Sequence, residues 1–225
     1  MKRIFDLINK NISLDFLTGK KRTVPLDQEL PLITISREMG SGGRPIAYLV
    51  AEKLGRPWQV FHKEIIDQIA KEIHLENSLI KEIDENRIPF IEEVIGEFFG
   101  KSYVSLSNYY KHLVKILSTI GHRGFAIIVG RGANYLFPHA LKVRMICETD
   151  QRIKWEMEFE HLSKAQAIRH IEESDRKRSD FERAVYNHDV KKAHHYDLVI
   201  RTGPRLGIEA AADLIVFMAK RRFKI

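Results

Sequence analysis

The chain has 225 residues, of which 44% are hydrophobic and 30% charged; this composition can bury one substantial core and fits an ordinary globular domain, with no internal repeat or low-complexity tract. Its 37 Lys and Arg against 30 Asp and Glu leave a formal charge of +7, which favours anionic partners without choosing among nucleic acid, a membrane surface and free nucleotides. No apolar run approaches the ~20 residues of a membrane span, no targeting segment is visible, and the lone Cys147 cannot form an internal bridge, so no membrane association and a reducing, cytoplasmic setting are expected.

Taken in chain order, residues 1–30 read as an extension. Ile4, Leu7, Ile8 and Ile12 recur at helical spacing and a polar, basic linker with two prolines follows, which predicts one amphipathic helix packed on the body or serving self-association as a homo-oligomer. From Leu32 short apolar runs alternate with amphipathic stretches, the signature of strands and helices in a parallel sheet. The strand candidates are 32–36 (LITIS), 59–62 (QVFH), 126–130 (AIIVG), 142–148 (KVRMICE) and 197–202 (DLVIRT). Helical patterns cover 45–54, 63–74, parts of 78–120, 150–160, 163–186 and 207–222. The stretch 78–120 is too long for a simple crossover, which predicts a helical insertion at the edge of the sheet where ligands bind.

The first strand runs into REMGSGGR and then a helix. In that context Gly40, Ser41, Gly42 and Gly43 let the backbone turn inward and present helix N-terminal amides to a phosphate. A full phosphate loop continues with a lysine for the terminal phosphates and a hydroxyl residue for magnesium; here Gly43, Arg44 and Pro45 stand in those places. Arg44 is the candidate for the missing charge, because guanidinium binds phosphate with a fork of donors. The metal ligands stay open, with Ser41 and Glu38 as candidates.

Past the strand at 126–130, Arg131 lies between two glycines, well placed to hold an anion at the sheet edge; the bland alternative is a surface arginine in a turn. Farther on, Ser163 and Gln166 form a capping box that starts a helix. In it Arg169, Arg176 and Arg183 recur every seven residues, with Asp180 between the last two and Arg178 off the stripe, so one face carries a polyanion-seeking row or a solvated ladder of ion pairs. His194 and His195 have no recognisable metal spacing. Phe98, Phe99, Tyr103, Tyr109 and Tyr110 are base-stacking candidates, although aromatics at helical spacing are more often core.

The order of ITISREMGSGGRPIAYLVAEKLG, FHKEII, AIIVGRGANYLFP, DRKRSDFER and YDLVIRTG resembles the cytidylate-kinase-like family, a branch of the nucleoside monophosphate kinases, over about residues 31–220. The resemblance implies an α/β P-loop kinase fold: a five-stranded parallel sheet flanked by helices, a monophosphate-binding insertion at about 64–120 and an arginine-rich lid at about 161–196, all within a domain at 31–225. It implies an ATP-dependent phosphotransferase using Mg2+ and acting on CMP or dCMP. The carried-over roles give ATP phosphates to Gly40, Ser41, Gly42 and Gly43, the monophosphate to Gly130 and Arg131, and catalysis to Arg176, Asp180 and Arg183, with Arg44 as substitute cation. The chain departs from that pattern at Gly43, Pro45, Lys177, His62 and Gly132, the last standing for an aspartate. A nucleotide-binding regulatory module is the alternative; a nucleic-acid binder is not expected, since no element gathers lysines with aromatics.

Overall fold

In the computed structural model, which describes residues 29–64, 66 and 108–225, all five apolar runs are strands: β1 (Leu32–Arg37), β2 (Gln59–His62), β3 (Ala126–Val129), β4 (Leu141–Cys147) and β5 (Leu198–Thr202). The helices are α1 (Gly43–Leu54), α2 (Asn108–Arg123), the one-turn α3 (Ala133–Leu136), α4 (Thr149–Phe159), α5 (Lys164–Tyr186) and α6 (Ile208–Phe223), with a 3-10 turn at Ala193–His195. The pattern reading lacks α3, because a single turn is too short to display a period. The extension at 1–30 except its last two residues, most of the insertion at about 64–120, Phe98, Phe99, Tyr103 and the side chains of Tyr109 and Tyr110 lie outside the described residues.

The strands pair in parallel in the order β2-β3-β1-β4-β5. Because β1 is central, both faces of its neighbours are covered, and alternate residues feed two cores. Leu32, Ala126 and Ile128 pack against Leu113, Leu117 and Ile120 of α2 on one face. Ile33, Ile35, Ile127, Val129, Val143 and Met145 pack against Ile46 and Leu49 of α1 and Ile215 of α6 on the other. A strand buried on both faces reads as an unbroken apolar run, which is why these segments stood out. Each fully buried aliphatic side chain of this kind contributes about 1.5–3 kcal/mol, so the carboxyl edge of the sheet is a fixed platform.

Pairing continues one residue past the strands at that edge. The Glu38 amide donates to the Met145 carbonyl at 3.0 Å and the Gly130 amide to the Ile35 carbonyl at 2.9 Å. The turns that follow β1 and β3 therefore begin side by side, at the crevice where open parallel sheets bind ligands.

Candidate functional site

The turn after β1 is shaped by two left-handed residues, Gly40 at φ 73° and Gly42 at φ 78°, a conformation that costs a residue with a Cβ. Gly42 is the N-cap of α1 and has no side chain to cap it, so the Gly43 and Arg44 amides have no intrahelical acceptor, and both residues line a cavity. Pro45 sits in that first turn, where its missing donor is harmless. Ser41 is fully buried, and its hydroxyl donates to the Glu38 carbonyl at 2.8 Å, so it braces the loop from within.

The turn after β3 is more unusual: Gly130, Arg131 and Gly132 have φ of 80°, 60° and 68° in succession. A non-glycine residue held there stores backbone strain of about 1 kcal/mol or more, and the surroundings enforce it. The Tyr186 hydroxyl donates to the Arg131 carbonyl at 3.0 Å, and a Cβ on Gly132 would come within 2.0 Å of the Tyr186 ring. Tyr186 thus leaves no room for a side chain at position 132. The Arg131 guanidinium lies over the Phe181 ring, 5.6 Å from its centre.

Across from both turns stands α5. Its predicted capping box is present, with the Ser163 amide donating to Gln166 Oε1 at 2.9 Å and the Gln166 amide to Ser163 Oγ at 3.4 Å. Ala167 and Ile171 bury against Ile153 of α4, with Met39 of the glycine loop alongside. Asp175 then ties the helix to the loop: its carboxylate accepts the Met39 amide at 2.8 Å, pairs with Arg152 of α4 and receives Arg178 Nη1 at 3.2 Å. Arg152 completes the knot by donating from Nε to the Met39 carbonyl at 2.6 Å.

These elements enclose a cavity of about 580 Å³. Its floor is the glycine loop with Arg37, Glu38 and Arg131; α5 contributes His170, Ser174, Lys177, Arg178, Phe181 and Glu182; Trp155, Phe159 and Ile208 form an apolar side, and Arg44, Lys63 and Glu64 close the rim. The volume matches a small-molecule site. Its electrostatics are strained toward positive charge. Burial, with Arg178 and Arg44 nearby, pushes the Arg37 guanidinium down to about 9 against the opposing pull of Glu64 and Glu182. Burial also lowers Arg178, with Asp175 opposing, and raises the carboxyl of Glu182 despite the nearby Arg144. At the rim, the His62 hydrogen bond and Arg44 hold Glu64 well below the ordinary carboxylate range.

Of the residues expected from sequence, Gly40, Gly42, Gly43, Arg44 and Arg131 line this cavity; Ser41 and Gly130 support its two turns from behind. Arg44 is already engaged in an ion pair with Glu64, which also takes His62 Nδ1 at 2.6 Å. Arg169, Arg176, Asp180 and Arg183 are exposed and are not on the cavity wall; the face of α5 turned inward is the one carrying Arg178, the arginine off the seven-residue stripe. The physical reason is that Ala167, Ile171 and Asp175 dock the helix, and the wall follows from that rotation. Sequence reading also missed Arg37, Trp155 and Phe159. The only available signal for Arg37 was a charge at the end of a buried strand.

At the glycine loop the residues present do not fit a protein-held magnesium. Pro45 has no side-chain oxygen to offer, the Ser41 hydroxyl is turned into the protein, and Glu38 accepts the Cys147 amide at 3.1 Å while lying 3.7 Å from Arg152 and 4.0 Å from Arg144. Among the described residues no three His, Cys, Asp or Glu side chains gather into a metal-sized group, and no helix is long and apolar enough to cross a membrane.

A family model described as the cytidylate kinase-like family matches residues 32–204. Among solved structures, an uncharacterized protein from Eubacterium ventriosum ATCC 27560 superposes with a TM-score of 0.67 at 19% identity, over 86% of this chain and 99% of that one. TT1252 from Thermus thermophilus aligns over 86% and 98% at 14% identity, with a TM-score of 0.49. The likeness to the Eubacterium protein is one of fold. No curated protein matches the chain.

Proposed function

The chain belongs to the cytidylate kinase-like family, and from that membership we propose that it is an ATP-dependent phosphotransferase whose acceptor is a nucleoside monophosphate, CMP or dCMP. The observation that carries the reading is one cavity shared by three anion-seeking elements: the open N-terminus of α1, the Arg131 turn and the inward face of α5.

In this reading the α1 amides hold the donor's phosphates, Arg131 holds the acceptor's phosphate, and Lys177 and Arg178 neutralise the group in transit. Trp155, Phe159 and Ile208 offer the apolar surface for a base. An oxygen of the acceptor phosphate bonds to the terminal phosphorus of ATP as the bond from that phosphorus to its bridging oxygen breaks. The electron pair leaves with ADP, and a nucleoside diphosphate forms. The acceptor phosphate enters ionised, so no side chain need take a proton. Positioning and charge neutralisation are what such a transfer requires. No step is assigned to a protein-bound metal.

A second reading, a nucleotide-binding regulatory module without turnover, draws on Gly43, Pro45 and the engagement of Arg44 with Glu64. The test is purified full-length protein with ATP, magnesium and a panel of monophosphates, following diphosphate formation. Turnover preferring CMP or dCMP is the expected result. Saturable ATP binding with no diphosphate formed selects the regulatory module, and absence of nucleotide binding overturns both readings.

A further inference from the structure

The geometry points to Arg37 as the replacement for the missing phosphate-loop lysine: its guanidinium, delivered from the last residue of β1 into the seam between the glycine loop and the Gly130 turn, binds the phosphoryl group in transit. This rests on the phosphotransferase reading and adds to Lys177 and Arg178 a cation at the glycine loop itself.

Space is the first argument. A Cβ on Gly43 would lie 2.8 Å from Arg37 Cβ and 2.9 Å from its Cγ, and a Cβ on Gly130 would lie 2.0 Å from Arg37 Nη1. The arginine stem therefore passes over Gly43 and its head ends beside Gly130. Gly43 is the first residue of α1 and needs no left-handed backbone, so conformational freedom does not account for a glycine there; room for the Arg37 stem does. A side chain at position 43 and Arg37 in this pose exclude one another. The absent lysine and the present arginine are two aspects of one arrangement.

Charge is the second. Arg152 and Arg178 each engage Asp175, Arg44 engages Glu64, and Arg144 donates to Ser36 Oγ at 2.8 Å. Arg37 has no ion-pair partner among the described residues, although it lies on the cavity wall. Its depressed basicity agrees: burial of the guanidinium and the neighbouring Arg178 and Arg44 outweigh the pull of Glu64 and Glu182. A phosphate in the cavity relieves that repulsion, and guanidinium offers it paired donors.

Position is the third. The stem touches the donor loop and the head touches the acceptor turn, so Arg37 sits where the terminal phosphate of the donor meets the phosphate of the acceptor. As the new bond forms at the terminal phosphorus and the bridging bond breaks, charge rests on the oxygens of the transferring group, and Arg37 donates to them while keeping its own protons.

The experiment measures ATP and ADP dissociation constants and kcat with CMP for the full chain and for Arg37→Ala, Arg37→Lys and Gly130→Ala. Arg37→Ala is expected to weaken ATP by at least about tenfold while changing ADP by less than about threefold, with kcat falling more than KM rises. Gly130→Ala, which displaces Nη1 while leaving the arginine in the chain, reproduces the loss of discrimination, and Arg37→Lys falls between. Equal weakening of ATP and ADP, or ATP affinity left untouched, overturns the inference. If circular dichroism shows Arg37→Ala unfolded, the same ATP-to-ADP ratio in Arg37→Lys decides, and an unchanged ratio overturns it. Wild-type protein that binds neither nucleotide overturns the phosphotransferase reading itself; wild-type turnover with unaffected variants removes only Arg37.

Discussion

Asp175 accepts the amide of Met39 at 2.8 Å, and this one carboxylate fastens the helix that carries the basic wall of the cavity to the loop that carries its floor. Arg152 and Arg178 complete their bonding on the same group. Removing it leaves a backbone amide and two guanidinium groups without their acceptor.

Asp175→Ala is expected to destabilise the protein by about 2–3 kcal/mol. A fully buried pair would cost about 3–5, and the discount reflects a carboxylate that is 31% exposed. Asp175→Asn keeps one acceptor and is expected to cost about half as much. Urea unfolding of the three proteins checks both; equal stability of Asp175→Ala and the parent would show that the knot carries no weight.

Gly132→Asp is expected to cost at least about 3 kcal/mol, from the left-handed backbone and the Tyr186 ring together. Gly132→Ala brings the same Cβ to within 2.0 Å of that ring and is expected to cost nearly as much. Denaturant midpoints for the pair separate a steric cause from an electrostatic one, since a charge effect would spare the alanine.

The rotation of α5 predicts an order of importance among its arginines. Arg178→Ala is expected to lower kcat/KM by at least about tenfold, about 1.4 kcal/mol of transition-state stabilisation. Arg176→Ala and Arg183→Ala, whose side chains are exposed, are expected to stay within about threefold. Steady-state kinetics on the three variants test this, and a larger loss at Arg176 would mean that the helix turns about its axis when substrate binds.

Glu182 gives a pH dependence. Burial raises its carboxyl in the folded state above the ordinary value of 4.5, and one of its oxygens, Oε2, has no hydrogen-bond partner. The folded form then holds its proton more tightly than the unfolded form, so this group's contribution to stability is full below the unfolded pKa and is lost as pH rises through the folded one. Glu182→Gln removes the titration. The stability of the variant minus that of the parent is expected to grow as pH rises above 4.5, and parallel curves in urea melts at pH 4 and pH 8 would refute the assignment.

The strands and the glycine turns were legible because their signals are local. A strand covered on both faces must be apolar throughout, as LITIS and AIIVG are, and a strand running into glycines at the start of a helix leaves amides open whatever surrounds it. The capping box was legible for the same reason: Ser163 and Gln166 are three residues apart. The seven-residue recurrence of Arg169, Arg176 and Arg183 was equally visible, but a recurrence states which residues share a face and not where that face points. Long-range packing of Ala167 and Ile171 on α4, and the bond from Asp175 to a residue 136 positions earlier, turned Arg178 inward.

By itself the sequence determined the parallel α/β sheet, the glycine turn after β1 and the arginine turn after β3, since each depends on neighbours within a few residues. Only the tertiary structure decided which cations meet in one cavity and why Gly43 and Gly132 lack side chains. Those outcomes depend on volumes claimed by Arg37 and Tyr186. Excluded volume between residues distant in the chain is set by the packed fold and leaves no mark in local spacing.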